Sequence, residues 1–158
     1  MYQRVLVPLE KEGGAEGHLQ HALTLASNFG AEVILLRVVT VVPSDEYVLQ
    51  RIQVEDGSSG AQRKGEAEDY LTRLEARLHD QGVAIEPVVM ISDKGEDEAI
   101  VEYATQSKCD LIVLPNQHRS LVSRWLQGNV AAKVQRRSHI PILLVREPDQ
   151  ALVSGGEK

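Results

Sequence analysis

The chain has 158 residues, enough for one domain with a substantial core, and carries 23 acidic against 17 basic side chains for a net charge of −6. That balance argues against a protein whose affinity comes from neutralising nucleic-acid phosphates. With one cysteine there can be no intrachain disulfide or cysteine metal cluster, in keeping with a reducing compartment.

At the start, MYQRVLVPLE has too short an apolar run for a signal peptide, and no stretch reaches the roughly 20 apolar residues needed to cross a bilayer. A cytoplasmic location without a membrane partner is expected. Val5, Leu6 and Val7 make a first strand whose unbroken apolar character implies a central position with both faces covered. The polar, glycine-rich stretch from Glu10 to Gly17 forms a turn. Leu19, Ala22, Leu23, Ala26 and Phe29 then recur at helical spacing, and Gly30 stands where a left-handed residue would end the helix. His18 and His21 fall on or beside its polar side and read as surface histidines. The β-branched run VILLRVVTV, within Glu32 to Val41, is the second strand.

Residues 43–65 include Gly57, Ser58, Ser59 and Gly60 and offer little to bury, so they receive no firm assignment. A helix is expected from about Ala61 to Gln81, with Ala67, Leu71, Leu74 and Leu78 on one face and Gly82 as terminator. Ile85 to Ile91 forms a third strand, and Pro87 places it at a sheet edge because it lacks a ladder donor. Glu96, Asp97 and Glu98 open the next helix, where negative charge meets unpaired N–H groups. Its buried face is Ala99, Ile100, Tyr103 and Ala104. Cys109 packs at the following turn, and Leu111 to Leu114 is a fourth, fully covered strand. Lys133, Arg136 and Arg137 close the last helix, complementing its carbonyls. The final strand is read as Ile140 to Val145, and residues 147–158 as a disordered tail.

Strand and helix thus alternate five times. The fold class is α/β: a doubly wound five-stranded parallel sheet in a three-layer α/β/α sandwich, one domain over residues 1–146. Small ligands of such sheets bind beyond the carboxyl ends of the strands, which directs attention to the loop after Leu114. No GxSxG elbow, GxxxxGK[ST] loop, HExxH helix or GxGxxG turn is present, so no catalytic residues and no metal site are assigned.

From Asp110 to Arg146 the chain runs DLIVLPNQHRSLVSRWLQGNVAAKVQRRSHIPILLVR, and RVLVPLE and AEVILLRVV precede it. These segments resemble the universal stress protein family in an unbroken register of almost forty residues. The resemblance implies strand order 3-2-1-4-5, which also puts both Pro87 and Pro141 on edge strands. It further implies an adenine-nucleotide crevice formed by Leu9, Glu10, Val39, Leu114, Pro115, His118, Arg119, Gly128, Asn129 and Val130. Here Pro115 and His118 replace a pair of glycines that let backbone N–H groups approach phosphate, and Asn129 replaces a Ser or Thr. Pro115 has no N–H at all.

The expected function is therefore a non-catalytic stress-response or signalling protein with weak or absent ATP binding. An adenine-nucleotide regulatory module taking AMP or ATP is the alternative, and a nucleotide hydrolase, with Glu10 and His118 as acid and base, a weaker one. No cofactor is expected beyond AMP or ATP. The resemblance also implies a homodimer through Ile140, Ile142, Leu143, Leu144 and Val145; an unidentified protein partner remains open, and no nucleic-acid partner is expected.

Overall fold

A computed structural model describes residues 1–10, 16–41, 60–116 and 130–146. In chain order its elements are β1 (Arg4–Leu9), α1 (Gly17–Phe29), β2 (Glu32–Thr40), α2 (Gly60–Arg77), a 3₁₀ turn (His79–Gln81), β3 (Ile85–Ser92), α3 (Glu96–Gln106), β4 (Leu111–Pro115), α4 (Val130–Arg137) and β5 (Ile142–Val145). The five strands form one parallel sheet in the order β3-β2-β1-β4-β5. Single-residue alternation along the strands sorts the core into two halves. Val5, Val7, Leu9, Val33, Leu35, Leu111 and Val113 pack under α1 and α2, whereas Leu6, Ile34, Leu36, Ile112 and Leu114 pack under α3 and α4.

Edge placement explains how the sheet tolerates Pro87. Ala84 and Ser92 turn their carbonyls to β2, accepting from Val33 (2.8 Å) and Val41 (2.8 Å), so the even-numbered residues of β3 face the ladder and odd ones face outward. Pro87 therefore lacks a donor only on the open side.

Two elements are shorter than their spacing predicts. The α2 helix stops at Arg77, because the Leu78 N–H is shared between the carbonyls of Leu74 and Glu75 (both 3.1 Å) and the chain tightens into the 3₁₀ turn before Gly82 at φ 72°. The last strand begins at Ile142 and not at Ile140. Pro141 cannot donate, and the Ile140 N–H is taken by Ser138 Oγ at 3.0 Å, which leaves Ile140 as a half-buried lead-in packed on the α3 and α4 side.

The acidic start of α3 has more to do than complement a helix dipole. Asp97 is buried and meets Arg137 Nε, from the far end of α4, at 2.9 Å. That ion pair joins two helices on one face of the sheet.

Candidate functional site

The site is set by where pairing between the central strands stops. Pairing of β1 with β2 continues to Leu9↔Arg37, and pairing of β4 with β5 continues to Pro115↔Val145, but β1 and β4 pair only at Val5↔Leu111 and Leu6↔Ile112. Beyond Leu6 the backbone pairing of the two central strands ends, and their carboxyl ends bound a crevice at the point where strand order reverses.

Pro8 is the local cause. Glu32 donates to the Gln3 carbonyl (2.9 Å), so odd-numbered residues of β1 turn their backbone groups to β2 and even-numbered ones to β4. On β4, the Ile112 and Asn116 N–H groups go to β5 (3.0 and 2.7 Å), which leaves Val113 facing β1. The next rung after Leu6 would need residue 8 to donate to the Val113 carbonyl. Proline has no N–H to give, and the ladder stops. A proline inside a strand that reads as central was the signal for this, and it is the feature that sequence reasoning passed over.

The Pro8 carbonyl faces the same split, and it is not left bare. His18 Nε2, on the first turn of α1, lies 2.9 Å from it and donates. The His18 side chain is fully buried, contrary to the expectation of a surface histidine. It stands four residues before Ala22 and eight before Ala26, on the stripe of α1 that faces the sheet. His21 is exposed, as expected. One residue along, Arg37 Nη1 donates to the Leu9 carbonyl at 3.4 Å. Further out, the Glu16 carboxylate at the start of α1 accepts from the Tyr70 hydroxyl and pairs with Arg77 (3.4 Å), both from α2. Burial and this carboxylate together push the Tyr70 hydroxyl well above its ordinary range.

Of the residues expected at the crevice, Leu9 and Pro115 end β1 and β4, Glu10 follows β1 half-buried, and Leu114 precedes Pro115. Leu9 and Leu114 send their side chains into opposite halves of the core, so at the split itself they contribute backbone. Val39 is buried near the end of β2, and Val130 opens α4 against the α3 side. His118, Arg119, Gly128 and Asn129 lie outside the described residues. Among the described residues, no group of three or more His, Cys, Asp or Glu side chains could hold a metal ion, and no helix is long and apolar enough to cross a membrane.

A doubly wound parallel sheet whose strand order reverses at its centre is an α/β architecture that places a ligand crevice at the carboxyl ends of the central strands. The chain belongs to the universal stress protein family, whose model matches residues 1–146. It is 27% identical over 156 residues to universal stress protein MJ0531 of Methanocaldococcus jannaschii, covering 94% of this chain and 84% of that protein. Two solved structures share the fold: a universal stress protein from Archaeoglobus fulgidus in complex with dAMP (19% identity, TM-score 0.63, 90% and 97% of the two chains) and a universal stress protein in complex with cAMP (23%, 0.64, 91% and 97%).

Proposed function

We propose that this chain is a non-catalytic stress-response protein that works as a homodimer and takes an adenine mononucleotide in the β1–β4 crevice, with triphosphates bound weakly or not at all. The observation that carries the reading is Pro115. It is the buried last residue of β4, at the crevice, where a nucleotide's phosphates need inward-pointing N–H groups. With no N–H of its own it cannot supply one. The base and ribose ask less of that wall, and the complexes of similarly folded proteins with dAMP and cAMP support a monophosphate ligand. The residues present thus fit adenosine and one phosphate better than the triphosphate that the family's glycine motif serves.

Calorimetric titration tests this directly. AMP is expected to bind in the millimolar range or tighter and to raise the melting temperature at saturation by mass action. Submicromolar ATP affinity in the unmodified protein is the result that defeats it.

The dimer rests on the geometry of β5. Pro141 and Val145 turn their carbonyls to β4, so odd-numbered residues face inward and Ile142 and Leu144 face the open edge. The proline's missing N–H therefore lies on the β4 side, and the outer edge keeps its donors. Placed antiparallel about a two-fold axis at Leu143, Ile142 of each copy meets Leu144 of the other, and each such pair exchanges two backbone hydrogen bonds. Half-buried Ile142, Leu143 and Leu144 become covered on pairing, which removes an exposed apolar edge. Leu144→Lys is expected to shift sedimentation equilibrium from dimer towards monomer. A wild-type protein that stays monomeric at tens of micromolar contradicts the dimer.

A further inference from the structure

Ending a ladder in the middle of a sheet raises a physical problem. A strand end released from its neighbour carries backbone groups with no ladder partner, and buried groups of that kind must be satisfied elsewhere or the strand end moves. In this chain the lip is Pro8 and Leu9, still paired with β2 but without a rung to β4, and side chains from two other elements hold its carbonyls. His18 of α1 donates to the Pro8 carbonyl at 2.9 Å, and Arg37 of β2 donates to the Leu9 carbonyl at 3.4 Å. The histidine is the stronger of the two holds. It is 0% exposed, against the half-buried Arg37, and its hydrogen bond is shorter and is made inside the core.

We propose that His18 is the positioning residue of the crevice: its Nε2–H fixes the Pro8 carbonyl, and through it the direction in which Leu9 and Glu10 leave the sheet towards an adenine mononucleotide. The affinity part of this proposal rests on the nucleotide reading given above; the positioning part does not.

The arrangement has a logic that the sequence distributes over ten residues. Pro8 removes the donor that would close β1 onto β4, and His18 supplies a donor to the carbonyl which that opening exposes. One residue opens the split and the other keeps its edge from wandering. An apolar side chain at position 18 would fill the same space under α1 but leave the Pro8 carbonyl buried without this donor. A glutamine there would keep an N–H of similar reach.

The test compares wild type, His18→Leu and His18→Gln by amide hydrogen exchange without ligand and by calorimetry with AMP. Leu9 and Val5 both face β2, so Val5 reports the sheet and Leu9 reports the lip. In His18→Leu the Leu9 amide is expected to exchange about tenfold faster than in wild type with Val5 unchanged, and AMP to bind about three- to tenfold more weakly, the range one hydrogen bond spans. His18→Gln should restore both. Should the leucine variant fail to fold, His18→Asn, whose amide is too short to reach the carbonyl, takes its place with the same expectation. Equal exchange changes at Leu9 and Val5, or none at either, overturns the proposal, because a merely structural histidine would loosen the whole sheet or nothing. If wild type binds no AMP while the Leu9 contrast persists, the nucleotide reading falls and the positioning role stands.

Discussion

The two ends of the central strands are built to opposite purposes. At the amino end β1 and β4 are bound together: Asp110 donates its N–H to the Arg4 carbonyl (2.9 Å) while its carboxylate accepts from the N–H groups of Gln3 (2.8 Å) and Arg4 (3.1 Å). The Arg4 guanidinium then reaches across to Glu32 on β2 (3.4 Å) and Glu86 on β3 (3.8 Å). At the carboxyl end the pairing of the same two strands stops at Pro8; His18 and Arg37 side chains hold the β1 end, and backbone pairing with β5 holds the β4 end. Charge at one end closes the sheet; at the other a proline ends the central ladder and a histidine binds the carbonyl it leaves. The difference teaches that the split is a property of particular residues and not of sheet twist alone, since both ends belong to the same pair of strands.

The largest effect should come from breaking the closed end. Asp110→Ala removes two charge-assisted hydrogen bonds to backbone, and is expected to cost about 2 kcal/mol in urea unfolding. Crevice properties should hardly change. A loss under about 0.5 kcal/mol would mean that the carboxylate bonds are as easily made by water.

A smaller effect in stability, but a larger one in shape, should follow from closing the open end. Pro8→Ala restores an N–H facing the Val113 carbonyl. The gain of one hydrogen bond, about 1 kcal/mol, is offset by the added freedom of the unfolded chain, so net stability should shift by less than about 1 kcal/mol. Exchange should nonetheless reveal a protected amide at position 8, and AMP affinity should fall. An unprotected amide there would show that something other than the proline keeps the strands apart.

These contrasts also mark what the sequence could and could not reveal. The five strands were legible because apolar runs such as Val5–Val7 and Leu111–Leu114 have only one stable setting, between layers of helices. Strand order came with the family resemblance, and Pro87 on an edge agrees with it. The split was harder. Pro8 sits in a run that reads as a buried strand, and only the direction of its backbone groups, fixed by pairing with β2, turns a missing donor into an opening. His18 was misread because polarity outweighed position, although its spacing to Ala22 and Ala26 placed it on the buried stripe. Ile140 was overextended into β5 because apolar character does not reveal that Ser138 would capture its N–H.

The smallest effect concerns pH and belongs to the closed end. Cys109 precedes Asp110, and burial pushes its thiol up from 9.0 to about 11. The folded protein therefore keeps a proton that the unfolded chain loses first, so this contribution to stability is complete below pH 9 and is lost as the pH rises towards 11. Tyr70, also shifted upward, adds to the loss at higher pH. Cys109→Ala should make the alkaline decline in urea stability shallower between those two values. An unchanged slope would assign the decline to other groups.

The claim at the centre of this account is that the crevice is open but its β4 wall cannot hold a triphosphate. Titration of ATP into Pro115→Gly combined with His118→Gly tests it most directly, with AMP titrated in parallel. The account predicts at least about a tenfold gain in ATP affinity over wild type, worth about 1.4 kcal/mol, with AMP affinity little changed. ATP affinity equal in the two proteins would contradict it.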